Sequence, residues 1–298
     1  MGRNRTAKYW RNIGTFLGLV VLAVFIAVGA YIISYSVRAA RSSLSPPHII
    51  AQQTPDDYGI DEYESVTFTA DDGIRLRGWY IPPESENGMV ILMAHGYAHN
   101  RERFLPEAKT LTDHGYGALL FDFRGHGESE EALVTLGDRE RLDLHAAIDF
   151  VASQPNVRRL GAIGFSMGAA ALVEVAAEDE RLEAIVIEGL FPTLKGEIWY
   201  RSRAFWLLSQ VSALLAIRGE GVEVDEIRPI DKLCSISPRK LLLIYGELDE
   251  GVPPGSAEAM LSEACEPVEM WIVPLANHRN FVEIAQEEYL ARLLRFFE

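Results

Sequence analysis

The sequence predicts an α/β fold: a mostly parallel sheet of about eight strands that opens with an antiparallel hairpin and carries helices on both faces. Three observations predict it. Residues 64–70 and 74–81, joined by Asp71-Asp72-Gly73, have the form of a hairpin. From residue 89 the pattern changes to short, continuously apolar runs, which suit strands buried on both faces. Those runs alternate with helical patterns, the order that builds a parallel sheet.

Ahead of the sheet stands a different kind of segment. Residues 13–37 carry no charge, and their polar residues Thr15, Ser34 and Ser36 are small hydroxyls. At about 1.5 Å per residue the run is longer than the roughly 30 Å of a hydrocarbon core. Tyr9, Trp10, Tyr31 and Tyr35 suit interfacial aromatic belts. Arg3, Arg5, Lys8 and Arg11 outnumber Arg38 and Arg41, which places the N-terminus in the cytoplasm and the large C-terminal part on the other side. A cleaved signal peptide is the rival reading, with Ala27, Gly29 and Ala30 as small residues for a cleavage site. The apolar run continues through Tyr31-Ile32-Ile33, beyond a typical signal core, and favours an uncleaved signal anchor over residues 1–41. Met1-Gly2 with Thr6 matches an N-myristoylation pattern, which beside an anchor reads as chance. Residues 42–63, with Pro46-Pro47 and the polar stretch 52–57, read as a juxtamembrane linker.

Composition agrees with an anchor plus one domain. The 298 residues are 48% hydrophobic and 24% charged, so the chain is neither disordered nor collagen-like. Six basic and no acidic residues precede position 42, so the formal net charge of −15 conceals a C-terminal part of −21. Such a domain is a poor general binder of nucleic acid, and its charge opposes contact with anionic lipid. Two cysteines make neither a disulfide scaffold nor, alone, a zinc site.

After the hairpin, strands are expected at 89–94, 117–121, 160–165, 184–187, 241–245 and 268–273, and helices at 103–114, 139–153, 167–178, 256–264 and 280–297. About 235 residues from position 64 to the end is a normal size for one such domain. Residues 190–237 break the alternation. They hold no strand pattern, but an aromatic helical segment that includes Trp199, Phe205, Trp206, Leu207, Leu208 and Val211. This insertion after the sixth strand reads as a lid or acyl-binding wall, as a helix packed for stability, or as a contact with the nearby bilayer. The acidic surplus of the domain weakens the last.

Gly164-Phe165-Ser166-Met167-Gly168 closes one apolar run and opens a small-residue helix. A G-x-S-x-G between strand and helix puts the serine on a tight turn, with glycines where a Cβ would collide with neighbouring backbone. A serine hydroxyl needs a base, and the base an orienting carboxylate. Among seven histidines, His278 follows the last strand run and precedes the last helix. Asp249 follows the run 241–245, in a loop with the competing acids Glu247 and Glu250. Ser166, Asp249 and His278 thus follow in the order nucleophile, acid, base.

Over residues 64–298 these motifs resemble the α/β-hydrolase superfamily, in its esterase and lysophospholipase-like branch. The resemblance implies a Ser166/Asp249/His278 triad, with Asp249 preferred because Asp249-Glu250-Gly251-Val252-Pro253 matches the family's D-x-x-V-P loop. It also implies an oxyanion hole of two backbone N–H groups, Met167 after the nucleophile and Tyr97 from the turn His95-Gly96-Tyr97. His95 then reads as a structural residue, and His95-x-x-x-His99 as no metal pair. The loop from Asp122 to Ser129 resembles the family's D-x-R-G-x-G-x-S, whose role is mainly structural: glycines for the turn, with Asp122 and Arg124 making polar contacts that shape the mouth of the site. The function implied is hydrolysis of an ester-like bond on a small molecule, without cofactor or metal; the apolar insertion and the anchor favour a substrate with an apolar or lipid-derived portion. The same triad serves amide hydrolysis and acyl transfer, and a catalytically silent binding protein is the non-enzymatic alternative. Cys234 and Cys265, before the last two strands, are equally readable as a disulfide or as buried thiols.

Overall fold

The computed structural model describes residues 3–84, 86 and 88–298. The Met1-Gly2 start of the acylation pattern lies outside the described residues. Eight strands form one sheet: β1 Glu64–Thr69, β2 Arg75–Ile81, β3 Met89–Ala94, β4 Gly117–Asp122, β5 Arg159–Phe165, β6 Leu182–Glu188, β7 Lys240–Gly246 and β8 Val268–Val273. Their order is β1-β2-β4-β3-β5-β6-β7-β8. The pairs β1–β2 and β2–β4 are antiparallel and all others parallel.

The period of two along a strand explains the two-sided core. In β3, Val90, Leu92 and Ala94 face one buried cluster, and Met89, Ile91 and Met93 face the other. Helices α3 (Glu140–Ala152) and α4 (Met167–Ala176) cover the first face, α2 (Leu105–Thr112) and α9 (Phe281–Phe297) the second. Parallel strands end at one edge, so the loops after β3, β5, β6, β7 and β8 meet there. Ligand sites of open parallel sheets form at that edge.

The N-terminal helix α1 runs Arg3–Ser42, well beyond the expected 13–37. The change in charge at Arg38 does not end the helix. Neither Gly nor Pro interrupts the backbone between Tyr31 and Ser45, and Ala39-Ala40 favours continuation. Within it, Lys8–Ser42 is long and apolar enough to cross a membrane. Its last turns pack on the inserted helix α6 (Trp206–Gly219). There Ser36 and Ala40 are buried, the Tyr35 ring lies 6.0 Å from that of Phe205, and Arg41 pairs with Glu220 at 2.8 Å.

The segment after α1 has little regular structure, as its composition implies, but it is pinned to the domain. Leu44 and Ile60 are buried. The Leu44 carbonyl accepts from Val134 N–H at 2.9 Å, and Ile49 O from the Asn100 side chain at 3.0 Å. The insertion also contains α5 (Leu194–Arg201) and the short α7 (Pro229–Lys232), and α8 (Ser256–Glu263) follows β7.

Cys234 and Cys265 are disulfide-bonded, with Cα atoms 4.6 Å apart. The bond ties the segment before β7 to the segment before β8 across 31 residues of chain. Replacing both cysteines by serine is expected to lower the unfolding free energy by about 3 kcal/mol through the freed unfolded chain. Urea unfolding in detergent micelles measures it, and equal midpoints for the two proteins would contradict a stabilising cross-link.

Candidate active site

The turn between β5 and α4 is built from close approaches. A Cβ on Gly168 would lie 2.2 Å from Ala94 O and 2.5 Å from His95 O, and one on Gly164 would lie 2.8 Å from the Ala169 Cα. Only glycine lets α4 start this close to β3. Ser166 between them adopts φ +51°, ψ −110°, a conformation costly for a side-chain-bearing residue. Its N–H donates to Glu188 O on β6 at 2.8 Å, which holds the turn in place.

The structure brings Ser166, His278 and Asp249 together. Ser166 Oγ lies 3.1 Å from His278 Nε2, and His278 Nδ1 lies 2.9 Å from Asp249 Oδ2. The arrangement fits an imidazole that donates through Nδ1 to Asp249 and accepts the serine proton at Nε2. The other Asp249 oxygen accepts from Gly251 N–H at 2.7 Å, and both side chains are largely buried. Two glycines make room for the imidazole. A Cβ on Gly251 would fall 2.2 Å from His278 Cγ, and one on Gly189 2.9 Å from its Cε1. Neither glycine stands out in the sequence, because the crowding is between loops far apart in the chain. Of the competing acids, Glu247 accepts from Leu275 N–H at 2.9 Å, and Glu250 is exposed.

Met167 is the first residue of α4, so its N–H has no carbonyl behind it within the helix. The loop bearing Tyr97 is stacked against the same turn: a Cβ on Gly96 would lie 2.6 Å from the Phe165 ring. Two imidazoles hold this loop. His95 Nε2 accepts from Phe123 N–H at 3.1 Å while Nδ1 donates to Gly96 O at 2.8 Å. His126 Nε2 accepts from Ala98 N–H at 3.2 Å while Nδ1 donates to Arg124 O at 2.9 Å. Burial pushes His95 well below its ordinary pKa and His126 down to about 4, so both are neutral, as these acceptor roles require. His99 lines the cavity and falls to about 4, through burial and then the nearby Arg103 and Arg279.

The loop after β4 makes structural polar contacts, and they run away from the cavity. Asp122 and Arg124 do not line the cavity. Arg124 is buried and forks onto Asp143 of α3, with Nη2 to Oδ1 at 2.7 Å, and onto Asp72 of the hairpin turn at 2.6 Å. Asp122 accepts from Arg101 N–H and Glu128 N–H. A side chain forked onto the buried Asp143 and the exposed Asp72 is turned away from the mouth. His126 carries the loop's influence on the site instead.

Above the turn lies a cavity of about 390 Å³, a size suited to a small molecule. Ser166 and Met167 form its floor, and Phe191, Leu194 and Ile198 are apolar walls. Tyr35, Ser36 and Ala40 of α1 line it as well, a contribution no motif announces. Helix α5 is clipped to the Asp249 loop: Tyr200 Oη reaches Glu250 O, and Arg201 donates to Gly251 O at 2.5 Å. Among the described residues no group of three His, Cys, Asp or Glu side chains is placed to hold a metal ion.

Set against known proteins, this fold and this site define a class: the chain belongs to the α/β-hydrolase superfamily. A family model described as serine aminopeptidase, S33, matches residues 85–225. "Uncharacterized protein YfhR" of Escherichia coli (strain K12) is 32% identical over 237 residues, covering 75% of this chain and 78% of YfhR. The Pyrococcus furiosus esterase Pf2001 superposes with a TM-score of 0.70 at 28% identity, covering 86% of this chain and 97% of the esterase. Polyketide transferase grgF of Penicillium sp is 32% identical over 126 residues, 41% of this chain and 42% of grgF.

Beneath the site sits a buried cluster that periodicity does not reveal. Glu188, Glu107 and Tyr289 are fully buried, and the Tyr289 hydroxyl is within hydrogen-bond reach of both carboxyls. Arg103 lies 3.5 Å from Glu107 and 3.6 Å from Glu188, with its guanidinium 4.9 Å above the Phe165 ring. One cation faces two acids. Burial raises Glu188 to about 7, opposed by Arg103 and reinforced by Glu107. The native state therefore keeps a proton that the unfolded chain loses near 4.5, and stability falls as pH rises from about 4.5 to about 7. Glu188→Gln is expected to shrink that fall. Thermal unfolding of both proteins across this pH window tests it, and parallel curves would refute the assignment.

Proposed function

We propose that the chain is a membrane-anchored serine hydrolase. It cleaves an ester-like bond, carboxylic ester or thioester, through an acyl-enzyme, on a substrate with an apolar or acyl portion. The carrying observation is the hydrogen-bonded series Ser166–His278–Asp249 at the floor of an apolar cavity.

In the proposed mechanism Ser166 Oγ bonds to the carbonyl carbon as its proton passes to His278 Nε2. Asp249 keeps Nδ1–H in place and stabilises the imidazolium. The carbonyl oxygen gains charge and takes hydrogen bonds from the Met167 and Tyr97 N–H groups. Collapse breaks the bond to the leaving alcohol or thiol, which receives the proton from His278. Water then attacks the acyl-enzyme while His278 takes its proton; the acid leaves and Ser166 regains its hydrogen. No cofactor or metal enters these steps.

The cavity lining favours an ester over a peptide N-terminus. An aminopeptidase needs an anion for the substrate ammonium, and Glu197, the carboxylate lining the cavity, is paired with Arg201. The similarity to the Pyrococcus furiosus esterase points the same way. For location, the excess of basic residues before the apolar run supports a cytoplasmic N-terminus. The Cys234–Cys265 bond supports a catalytic domain in an oxidising, non-cytoplasmic compartment.

The native protein is expected to label with a fluorophosphonate probe and to turn over p-nitrophenyl esters. Ser166→Ala is expected to abolish labelling and to lower kcat by at least about 10³-fold. A native protein that does not label would instead support a catalytically silent binding role. Gly251→Ala, which displaces the imidazole, is expected to cost about 10²-fold in kcat with little change in thermal stability. Unchanged kcat in this variant would remove His278 from the mechanism.

A further inference from the structure

The outer face of α6 has no protein partner. Trp206, Leu207, Leu208, Val211 and Leu215 are exposed there, Trp206 by 82% and Leu215 by 60%, while Ser209, Ala213 and Ile217 on the opposite face are buried or line the cavity. Leu207, Val211 and Leu215 recur at four-residue spacing, one stripe along the helix. A soluble domain rarely leaves such a stripe bare.

Three further observations say what covers it. First, α6 is continuous with the membrane helix. Its N-terminal end sits at Tyr35, through Phe205, and its C-terminal end at Arg41, through Glu220. The apolar end of α6 therefore meets the apolar part of α1, and the charged end meets the charged part. Second, residues 13–34 of α1 are themselves uncharged and largely bare, so the stripe extends a surface that already suits hydrocarbon. Third, the charge is locally balanced. Residues 190–237 hold six basic and six acidic residues, with Lys195 and Arg218 both paired to Asp225, within a domain of net −21. The domain's average charge, which argues against lipid contact, does not describe this face.

The cavity meets this surface. Its lining residues Tyr35, Ala39, Arg201, Ala204 and Phe205 are exposed, whereas Met167, Leu194 and Ile198 are buried, so the opening lies at the seam between α1 and the insertion. We propose that the outer face of α6 rests on the bilayer that α1 crosses, with Phe205, Trp206, Leu207 and Leu208 at its Tyr35 end entering the lipid and Val211 and Leu215, toward Arg41, at the interface, and that the cavity opens between Tyr35 and Phe205 onto the membrane, so that substrate enters from lipid and not from water. Arg201 and Arg203 then face the headgroups. The nature of the substrate rests on the ester-hydrolase reading above; the membrane contact does not.

The test uses the full chain in phosphatidylcholine nanodiscs containing a minor fraction of phosphatidylglycerol. A nitroxide is placed at Leu207→Cys and, as control, at Leu261→Cys on α8, exposed on the domain away from the seam. Power saturation is expected to show the first accessible to oxygen and shielded from a water-soluble nickel complex, and the second the reverse. Nickel access at position 207 overturns the proposal, and so does shielding from both reagents, which would mean coverage by a second copy. A paired variant, Leu207→Asp with Val211→Asp, is expected to hydrolyse a long-chain monoacyl ester in vesicles at least about tenfold more slowly, with p-nitrophenyl acetate turnover unchanged. An equal rate on both substrates, or an equal loss on both, overturns the entry route. If the native protein hydrolyses neither ester, the hydrolase reading has failed, and the nitroxide depths alone decide the membrane contact.

Discussion

The approach of α4 to the end of β3, closer than any side chain would allow, governs the geometry around the cavity. With no Cβ at Gly164 or Gly168, the helix begins against the backbone of Ala94 and His95. The peptide at Ser166 must then turn within one residue, which forces its positive φ and lifts the hydroxyl clear of the sheet. That same contact brings the Tyr97 loop beside the start of α4, so the nucleophile and both proposed oxyanion donors share one packing event. Polar anchors keep it from relaxing: Ser166 N–H on Glu188 O, and the neutral imidazoles of His95 and His126 on loop amides.

Opposite this turn, His278 and Asp249 are carried by loops that lean on each other. Gly251 and Gly189 leave only enough space for the His278 ring, and the Asp249 loop is held from above by Tyr200 and Arg201 of α5. The insertion is thus more than a cover. Its first helix braces the acid loop, and its second makes the cavity wall together with α1. Strain at Ser166 and the two buried carboxyls below Phe165 both disfavour the native state locally, a cost commonly found beside functional sites. Nearby packing on both faces of the sheet offsets it.

Much of the fold was legible because it rests on local rules. Strands buried on both faces must be apolar at every position, so the six runs from residue 89 stand out, and their ends differ from the observed strands by at most two residues. The elbow was legible for the same reason, since its glycines sit within two residues of the serine. The ring of His278 was placed only by its position after a strand, while the glycines that accommodate it were invisible, because the clash they avoid joins residues about 30 or 90 positions apart in the chain. The Glu107–Glu188–Tyr289 cluster escaped notice because buried acids look like any helix or strand-end acid in sequence. Arg124 was assigned to the mouth of the site by motif, whereas pairing with Asp143 and Asp72 depends on how the hairpin folds over α3. The end of α1 was placed too early because charge reports the medium around a helix and says nothing of its backbone.

If α1 anchors the chain as proposed, its last two turns make the tether part of the container. Tyr35, Ser36, Ala39 and Ala40 close one side of the space above Ser166. Proteolytic shedding that removed them would therefore change what the domain accepts as well as where it resides. A soluble fragment beginning after Ser42 would keep the sheet and the reactive trio but have a cavity open along one side.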